Sequence, residues 1–160
     1  MPPHKKTAGT NEQKIATLDE EVEQVLEEAR MVLPGLQALF GFQLIAVFNE
    51  RFEHDLSGTA KMLHLTALVL TALAIGLIMA PAAYHRQAER DRVSRYFATY
   101  ASRMITLAMA PLSLALSADV SLVALLVTKN VAASAAIGFV LLGYLLGLWY
   151  VFPTLKRRSA

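Results

Sequence analysis

The chain has 160 residues, of which 55% are hydrophobic, and its formal net charge is +2. This length predicts one domain, and so apolar a composition excludes an ordinary soluble protein and indicates a membrane protein. Because the sequence contains no cysteine, disulfides, thiolate metal ligands and cysteine nucleophiles are excluded as well.

The N-terminal 30 residues are polar and charged, without the apolar h-region or the small-residue cleavage site of a signal peptide. Residues 1–10 are predicted to be disordered. In residues 11–30 apolar side chains recur at helical spacing, which predicts an amphipathic helix on the cytoplasmic side. This helix is acidic, because seven acidic and two basic residues give it a charge of −5. The acidic residues are Glu12, Asp19, Glu20, Glu21, Glu23, Glu27 and Glu28.

The acidic face of this helix leaves several roles open. Anionic lipid attracts basic helices, so an in-plane lipid anchor is not favoured. The loop from Tyr84 to Tyr96 carries a charge of +2 and is a candidate docking surface. The alternatives are pairing with another copy, capture of a protein partner by residues 11–30, or a solvated helix that leads into the membrane.

Four runs of 19 to 26 residues lack charged side chains, apart from Asp119 in the third run. About 20 apolar residues suffice to cross roughly 30 Å of hydrocarbon, so each run predicts one transmembrane helix. The fold class is therefore an all-α membrane protein with a transmembrane domain at 31–153 and a basic cytoplasmic tail at 154–160. The predicted spans are about 31–49, 62–84, 103–128 and 131–153.

The distribution of lysine and arginine predicts the orientation of the spans. The N-terminal segment, the middle loop and the tail together hold 12 basic residues, against three in the other two connections. Since cytoplasmic loops carry the excess of basic residues, both termini are expected in the cytoplasm, with the protein in the bacterial inner membrane.

The first span begins with Pro34 and Gly35 and carries Gln37 one turn further in. Proline suits the first turn of a helix, so the amphipathic helix is expected to end or bend near Leu33. Gly35 leaves room for the approach of another backbone. An amide that faces lipid is costly, so Gln37 is expected to face a neighbouring helix or water.

Small residues at four-residue spacing predict helix packing faces. Such residues are Ala72, Gly76 and Ala80 in the second span, and Gly143 and Gly147, after Gly138, in the fourth. They favour a homo-oligomer. A stripe of small and hydroxyl residues follows the third span, where helix contact is favoured over a hydroxyl-lined pore. Its members are Thr106, Ala110, Ser113, Ser117, Ser121, Ala124 and Thr128.

Asp119 lies inside the third span, slightly to the outer side of its middle. An intramembrane carboxylate indicates a proton or cation site, to which Ser113 and Ser117 are assigned as candidate members. Helical spacing nevertheless places Asp119 opposite the serine stripe. Either its face meets another subunit or a cavity, or the helix breaks near Ala118 and Asp119 caps a re-entrant segment.

Motifs of known enzyme chemistry are missing from the sequence. There is no Gly-rich phosphate loop, no nucleophile elbow, no His-Glu-x-x-His motif and no histidine pair at a metal-binding interval. The chain is thus expected to be neither an enzyme nor a cofactor protein. Its arginines are expected to contact lipid headgroups rather than nucleic acid.

Two motifs resemble the signature of a family of small bacterial four-span membrane proteins that form a domain of unknown function. The first runs from Glu28-Ala29-Arg30 through Pro34-Gly35-Leu36-Gln37, Leu39-Phe40 and Phe42 to Arg51-Phe52, and the second is Ala80-Pro81-Ala82-Ala83-Tyr84-His85-Arg86. The resemblance spans roughly residues 26–153 and implies a shared fold. Some members carry the label sodium/proton antiporter. The residues whose importance it implies are Arg30, Pro34, Gln37, Tyr84, His85 and Arg86.

These motif residues also predict a polar cluster. Arg30, Pro34, Gly35 and Gln37 lie at the inner end of span 1, while Tyr84, His85 and Arg86 lie at the inner end of span 2, so adjacent helices would bring them together. The cluster is either a gate, which His85 would make sensitive to pH, or an interfacial belt. Two functions follow: an oligomeric ion or proton conducting pore or carrier, or a non-conducting scaffold that recruits a partner through the acidic helix.

Overall fold

A computed structural model describes residues 6–88 and 94–159, and this part of the chain is helical without strands. Four helices are long and apolar enough to cross a membrane, namely Val22–Ala46, Gly58–Ala88, Arg95–Thr128 and Val131–Arg158. The predicted fold class, an all-α protein with four membrane spans, is confirmed. The helices are α1 (Lys6–Ala46), α2 (Glu50–Asp55), α3 (Gly58–Ala88), α4 (Arg95–Thr128), α5 (Val131–Leu146), a π-helix (Gly147–Val151) and α6 (Phe152–Ser159).

The first helix is continuous where the sequence predicted a junction. Helix α1 runs from Lys6 to Ala46 with Pro34 inside it, so it does not end near Leu33, and residues 6–10 are helical rather than disordered. Proline removes only one backbone donor, and a helix that already exists gains one hydrogen bond for each residue that extends it. Residues 1–5 lie outside the described part, as do the side chains of residues 6–19 and 21.

Successive long helices run antiparallel. His64 near the start of α3 meets Gln43 near the end of α1, and Ser134 near the start of α5 meets Ser121 in the second half of α4. The bundle therefore has a hairpin end, with the α1–α2–α3 and α4–α5 connections, and a terminal end, where α4 begins and α5 ends. Helix α4 contacts α1, α3 and α5.

The core consists of three apolar clusters along the bundle. Near the terminal end, Val22 of α1 packs on Phe97 and Ala101 of α4, and near the hairpin end Leu56 packs on Leu122. Buried alanines let α3 and α4 approach closely, as small residues do in membrane bundles. The cluster between these two, called the middle cluster below, is formed by Leu36, Ala74, Ile78, Ala108 and Leu112 with Trp149 against it.

Helix α5 packs on α4 through the serine stripe. Ser121 donates a hydrogen bond to the carbonyl oxygen of Ser134 at 3.0 Å. A Cβ atom on Gly138 would lie 3.2 Å from the carbonyl oxygen of Ser117, so the two backbones approach closely here. Ser117 and Ser121 of the stripe thus form a contact with α5.

The other small residues do not pack on a neighbouring helix of the same chain. Ala72 and Gly76 are exposed, and α3 turns a different face inward, with Ala67, Thr71 and Ala74 buried. A Cβ atom on Gly76, Gly143 or Gly147 would meet no atom within 4 Å. Four-residue spacing alone therefore does not identify the contact face within the chain. Ala80, half-buried, lies on the same side of α3 as Gly76.

The turn between α4 and α5 explains where α4 ends and where α5 begins. Lys129 adopts the left-handed conformation, with φ of 53°, and its backbone N–H bonds to the carbonyl oxygen of Leu125. Asn130 then caps α5, because its side chain accepts a hydrogen bond from the N–H of Ala133 at 3.1 Å. At the other end of α4, Ser94 caps the helix in the same way through the N–H of Phe97.

A π-helix interrupts the fourth span near the terminal end. It covers Gly147–Val151, and the N–H of Phe152 bonds to the carbonyl oxygen of Gly147, five residues earlier. Trp149 within it packs on the middle cluster, while the hydroxyl of Tyr150 donates to the carbonyl oxygen of Thr106 at 2.6 Å. The wider turn thus lets two adjacent side chains reach α4 and the core together.

Candidate functional site

Three polar side chains from three different helices meet near the hairpin end. Gln43 of α1 and His64 of α3 are 3% and 7% exposed. The side chain of Asp119, from α4, is 19% exposed and lies beside both. An ionisable group at this depth requires partners, and each helix supplies one member. These three residues are called the hairpin-end network below.

Short contacts join the three residues of the network. The side-chain amide of Gln43 donates to Oδ2 of Asp119 at 2.6 Å. Nδ1 of His64 lies 3.5 Å from Oδ1 of the same carboxylate. The other ring nitrogen of His64 contacts the backbone carbonyl oxygen of Gln43 at 2.9 Å. Both oxygens of the carboxylate therefore face a nitrogen.

The carbonyl contact fixes one proton of the imidazole. A carbonyl oxygen can only accept, so Nε2 of His64 must carry its hydrogen and donate it to Gln43. If the imidazole is neutral, Nδ1 then has a lone pair, which faces Oδ1 of Asp119. Two bare lone pairs repel each other. A proton on either of these two atoms would remove this repulsion.

One polar atom of the network has no partner. Oε1 of Gln43 is buried and accepts no hydrogen bond from the described residues. Buried polar atoms are normally satisfied, so an unpaired acceptor beside a carboxylate is a place where a water molecule or a proton-bearing group is stabilised. His64 also makes an edge contact with the ring of Phe52, with centroids 5.1 Å apart.

A cavity of about 240 Å³ adjoins the network. Gln43, His64 and Asp119 line it, and its other lining residues are all alanine, leucine, valine or phenylalanine from α1, α4 and the α2 region. Two of these, Phe42 and Val123, are exposed, so the cavity opens to the surface beside them. The network is thus accessible from outside the core, through an apolar opening.

The structure decides between the two sequence-based placements of Asp119. Helix α4 continues through Ala118 and Asp119, so the re-entrant alternative is wrong. Asp119 faces a cavity and two neighbouring helices, as its position opposite the serine stripe required. Ser113 and Ser117 do not join it: each donates to a carbonyl oxygen of its own helix, at 2.8 Å and 2.7 Å.

Sequence reasoning missed Gln43 and His64. The available signal was the same for both: a polar side chain within an uncharged, mostly apolar run. Gln43 lies six residues after Gln37, and His64 three residues after Lys61. Neither position could be linked to Asp119 without knowing that spans 1, 2 and 3 pack on one another at this depth.

The predicted polar cluster at the terminal end is assembled in part. Arg30, His85 and Arg86 line one cavity of about 400 Å³ between α1 and α3. Tyr84 instead stacks on Phe97, with ring centroids 6.0 Å apart, and also contacts Tyr100 at 5.2 Å.

The remaining members of the predicted cluster lie away from this cavity. Pro34, Gly35 and Gln37 are exposed, and a Cβ atom on Gly35 would meet nothing within 4 Å. Helical rotation turns these three residues away from α3. The expectations that Gly35 admits another backbone and that Gln37 packs on a neighbouring helix are therefore not met within the chain.

The acidic part of α1 packs on the start of α4. Val22, Val25 and Leu26 contact the cluster around Phe97 and Ala101. Glu28 lines a cavity of about 500 Å³ together with Arg95 and Arg103 of α4. The contact is with the start of α4, where Arg95 belongs to the predicted basic surface, while residues 89–93 of that surface, with Arg90 and Arg92, lie outside the described part.

Similarity to other proteins identifies a family but no activity. Within the described part of the chain, no group of three or more histidines and carboxylates is placed to hold a metal ion. No curated protein and no solved structure is significantly similar to the chain. The model of a family of unknown function, DUF6328, matches residues 11–153. The chain therefore belongs to this family of unknown function, as a member with four membrane-spanning helices.

Proposed function

We propose that this protein is a membrane carrier that moves protons, alone or in exchange for another ion, and that Asp119 and His64 bind the proton. The observation that carries the proposal is the place for one proton between Oδ1 of Asp119 and Nδ1 of His64, which lie 3.5 Å apart. A carboxylate paired with an imidazole inside a membrane bundle is typical of proton relays.

Loading and release of the proton change the charge on both partners. With the proton on His64, the pair consists of two opposite charges, and with the proton on Asp119 both groups are neutral. Loss of the proton leaves a carboxylate held by the amide of Gln43. The electrostatic attraction between α3 and α4 differs among these states, so proton binding is coupled to how tightly the two helices pack.

The packing favours a carrier over an open pore. The middle cluster, with Leu36, Ile78 and Leu112, lies between the hairpin-end network and the terminal end. An ion that crosses the bundle must pass this cluster, which requires a rearrangement of apolar side chains. In the structure the cavity that adjoins the network lies on the hairpin side of the cluster.

Proton flux into liposomes tests the proposal. The purified protein is reconstituted with a pH-sensitive dye inside, and flux is measured for the natural chain, Asp119→Asn and Gln43→Leu. Since a carboxamide neither binds nor releases a proton, Asp119→Asn is expected to lower flux about tenfold or more. Gln43→Leu removes the donor to Asp119 and is expected to lower flux less.

The chain offers a matched control for Gln43. Gln37→Leu makes the same substitution on the same helix, at an exposed residue away from the network, and is expected to leave flux unchanged. Flux that equals that of empty liposomes, from protein shown to be folded, would contradict the proposal. So would equal flux from the Asp119→Asn variant and the natural chain.

A second function, a non-conducting scaffold, is supported by an acidic surface that stays open after α1 has docked. Glu20, Glu23 and Glu27 are exposed and repeat at spacings of three and four residues, so they share one face of the helix. Such a face suits a basic segment of a protein partner. The apolar side chains of the same helix already pack on Phe97 and Ala101.

The packing of Val22 and Val25 decides how this second function is tested. Deleting residues 1–25 would remove both side chains from the core, so loss of a partner could reflect misfolding. Replacing Glu20, Glu23 and Glu27 by glutamine keeps the fold and removes the charge. A scaffold is expected to lose its cross-linked partner in native membranes, whereas a carrier keeps its flux.

Orientation and assembly complete the proposal. The charge bias places the terminal end in the cytoplasm of a bacterial inner membrane, so the hairpin-end cavity would open to the outer side. A homo-oligomer is supported by the exposed small residues Ala72, Gly76 and Gly143, which leave room for a second copy.

A further inference from the structure

The cavity between α1 and α3 at the terminal end has a basic rim. Its lining includes Arg30 from α1 and Arg86 from α3, together with His85. Neither arginine forms an ion pair within the described part of the chain, and no acidic residue lines the cavity. Two guanidinium groups on one cavity without a carboxylate form a surface for an anion, and arginine favours phosphate in particular.

His85 adds a polar atom without a partner. Its Nδ1 is buried and has no hydrogen bond to a described residue, while its ring contacts that of Phe97 at 5.3 Å. An unsatisfied buried atom is a cost to the unliganded protein. A ligand or its bound water that reaches this nitrogen would remove the cost.

The walls of the same cavity are apolar. They are formed by Leu26, Ala29, Leu33, Ile78, Met79 and Ala82. Met79 is 47% exposed, so the apolar wall continues onto the surface that faces the membrane interior. A small hydrated anion gains nothing from such walls, whereas an acyl chain does. The cavity is basic at one end and apolar along its sides, so it fits an amphiphile with an anionic headgroup and an acyl chain.

The position along the bundle also matches a headgroup. Tyr84, Tyr96 and Tyr100 cluster at the same end, with ring centroids between 5.2 and 6.4 Å apart. Tyrosines concentrate at the level of the lipid headgroups, so the cavity lies where phosphates are found. Basic cavities between membrane helices are known to receive lipid headgroups.

We propose that this cavity binds one anionic phospholipid, with Arg30 and Arg86 on its phosphate and an acyl chain along Leu33 and Met79. The site does not depend on proton transport, because it lies across the middle cluster from Asp119. It also differs from the general lipid contact of the outer helix faces, since it selects a charged headgroup.

Lipid binding to the full-length protein in a neutral detergent tests the proposal. Dioleoylphosphatidylglycerol and dioleoylphosphatidylcholine are titrated separately, and the thermal unfolding midpoint and lipid adducts by native mass spectrometry are measured. The anionic lipid is expected to raise the midpoint and to bind at one site, and the zwitterionic lipid is not. Arg30→Gln and Arg86→Gln are each expected to weaken binding about fivefold.

A matched control separates a site from general charge attraction. Arg103→Gln removes the same charge at the same end but lines the cavity that contains Glu28. It is expected to keep the affinity of the natural chain. Equal weakening by all three substitutions would overturn the proposal, because attraction would then follow net charge alone.

Two further measurements concern the shape of the site and the source of the phosphate. Ala82→Leu keeps every charge and fills the cavity, so it is expected to abolish the adduct while the midpoint without lipid is retained. Binding unchanged by Ala82→Leu would overturn the proposal. Stabilisation by inorganic phosphate equal to that by phosphatidylglycerol would also overturn it, in favour of a site for a free anion.

Discussion

The two ends of the bundle hold the same kinds of side chain in opposite arrangements. At the hairpin end, His64 and Asp119 meet each other and Gln43, so each oxygen of the carboxylate faces a nitrogen within the chain. At the terminal end, His85 shares a cavity with Arg30 and Arg86, and no acidic residue lines that cavity. Polar groups that contact one another suit the exchange of a proton, whereas arginines without an acidic partner suit the binding of an anion.

The same difference appears in how space is filled. Around Asp119 the helices approach through small residues, since Ala67 and Ala115 are fully buried, and the polar groups are drawn together. At the terminal end the aromatic ring of Phe97 fills the space between α1, α3 and α4. Basic side chains are thereby kept at the rim, where lipid or solvent reaches them.

The first and largest test of this contrast is Phe97→Ala, at the centre of the terminal end. Phe97 is fully buried against Val22 and Tyr84, so its truncation is expected to cost about 3–5 kcal/mol of unfolding free energy. Unfolding by sodium dodecyl sulfate in mixed micelles measures the change. Phe139→Ala, at a residue that is 73% exposed, is the control and should cost far less. Similar costs for both would mean that Phe97 does not hold the terminal end together.

At the hairpin end the matching test removes the carboxylate. Asp119→Leu leaves the side-chain amide of Gln43 without its acceptor and removes the carboxylate beside His64, and a hydrogen bond to a charged group is worth about 1.5–3 kcal/mol. The same unfolding measurement should show a loss in this range. Asp119→Asn keeps an acceptor for Gln43 and should lose less. If leucine were the more stable replacement, the network would not stabilise the bundle.

A third test asks whether α5 packs more tightly in the hairpin half than in the terminal half. Gly138→Ala places a Cβ atom 3.0 Å from that of Ser121, and such overpacking is expected to cost about 1–3 kcal/mol. Gly143→Ala meets no atom within 4 Å and should gain up to about 1 kcal/mol from helix propensity. The thermal midpoints of the two variants measure this. Destabilisation by Gly143→Ala together with dissociation of an oligomer would instead assign Gly143 to a contact between copies.

The smallest effect is expected where polar groups of the hairpin end are solvated. Lys129 and Asp55 form an ion pair at 3.3 Å with both side chains exposed. Exposed pairs contribute about 0–1 kcal/mol, so Asp55→Asn should shift the thermal midpoint little, and less at high salt. A shift as large as that of Asp119→Leu would show that burial does not distinguish the two pairs.

The architecture was predictable because the bilayer fixes the length of each span. Charged residues such as Arg103 and Lys129 bound runs that are too long and too apolar for anything but a membrane helix. The face of α4 that bears Asp119 was also predictable, because it follows from helical geometry. The family resemblance was confirmed by the family match.

The partners of Asp119 were not predictable, because they depend on which helices touch and at what depth. His64 and Asp119 are 55 residues apart in the sequence, and only the antiparallel packing of α3 on α4 joins them. Gly138 and Gly143 are equivalent as residues, yet only Gly138 lies under Ser121.

The π-helix in the fourth span sets the direction, about the helix axis, in which the side chains after it point. Five residues, Gly147–Val151, form a turn that an α-helix would make with one residue fewer. Winding all five of these residues as a regular α-helix would rotate α6 by about 100° about its axis. Lys156, Arg157 and Arg158 would then point in a different direction from the bundle. The direction in which the basic tail points therefore depends on the π-helix that precedes it.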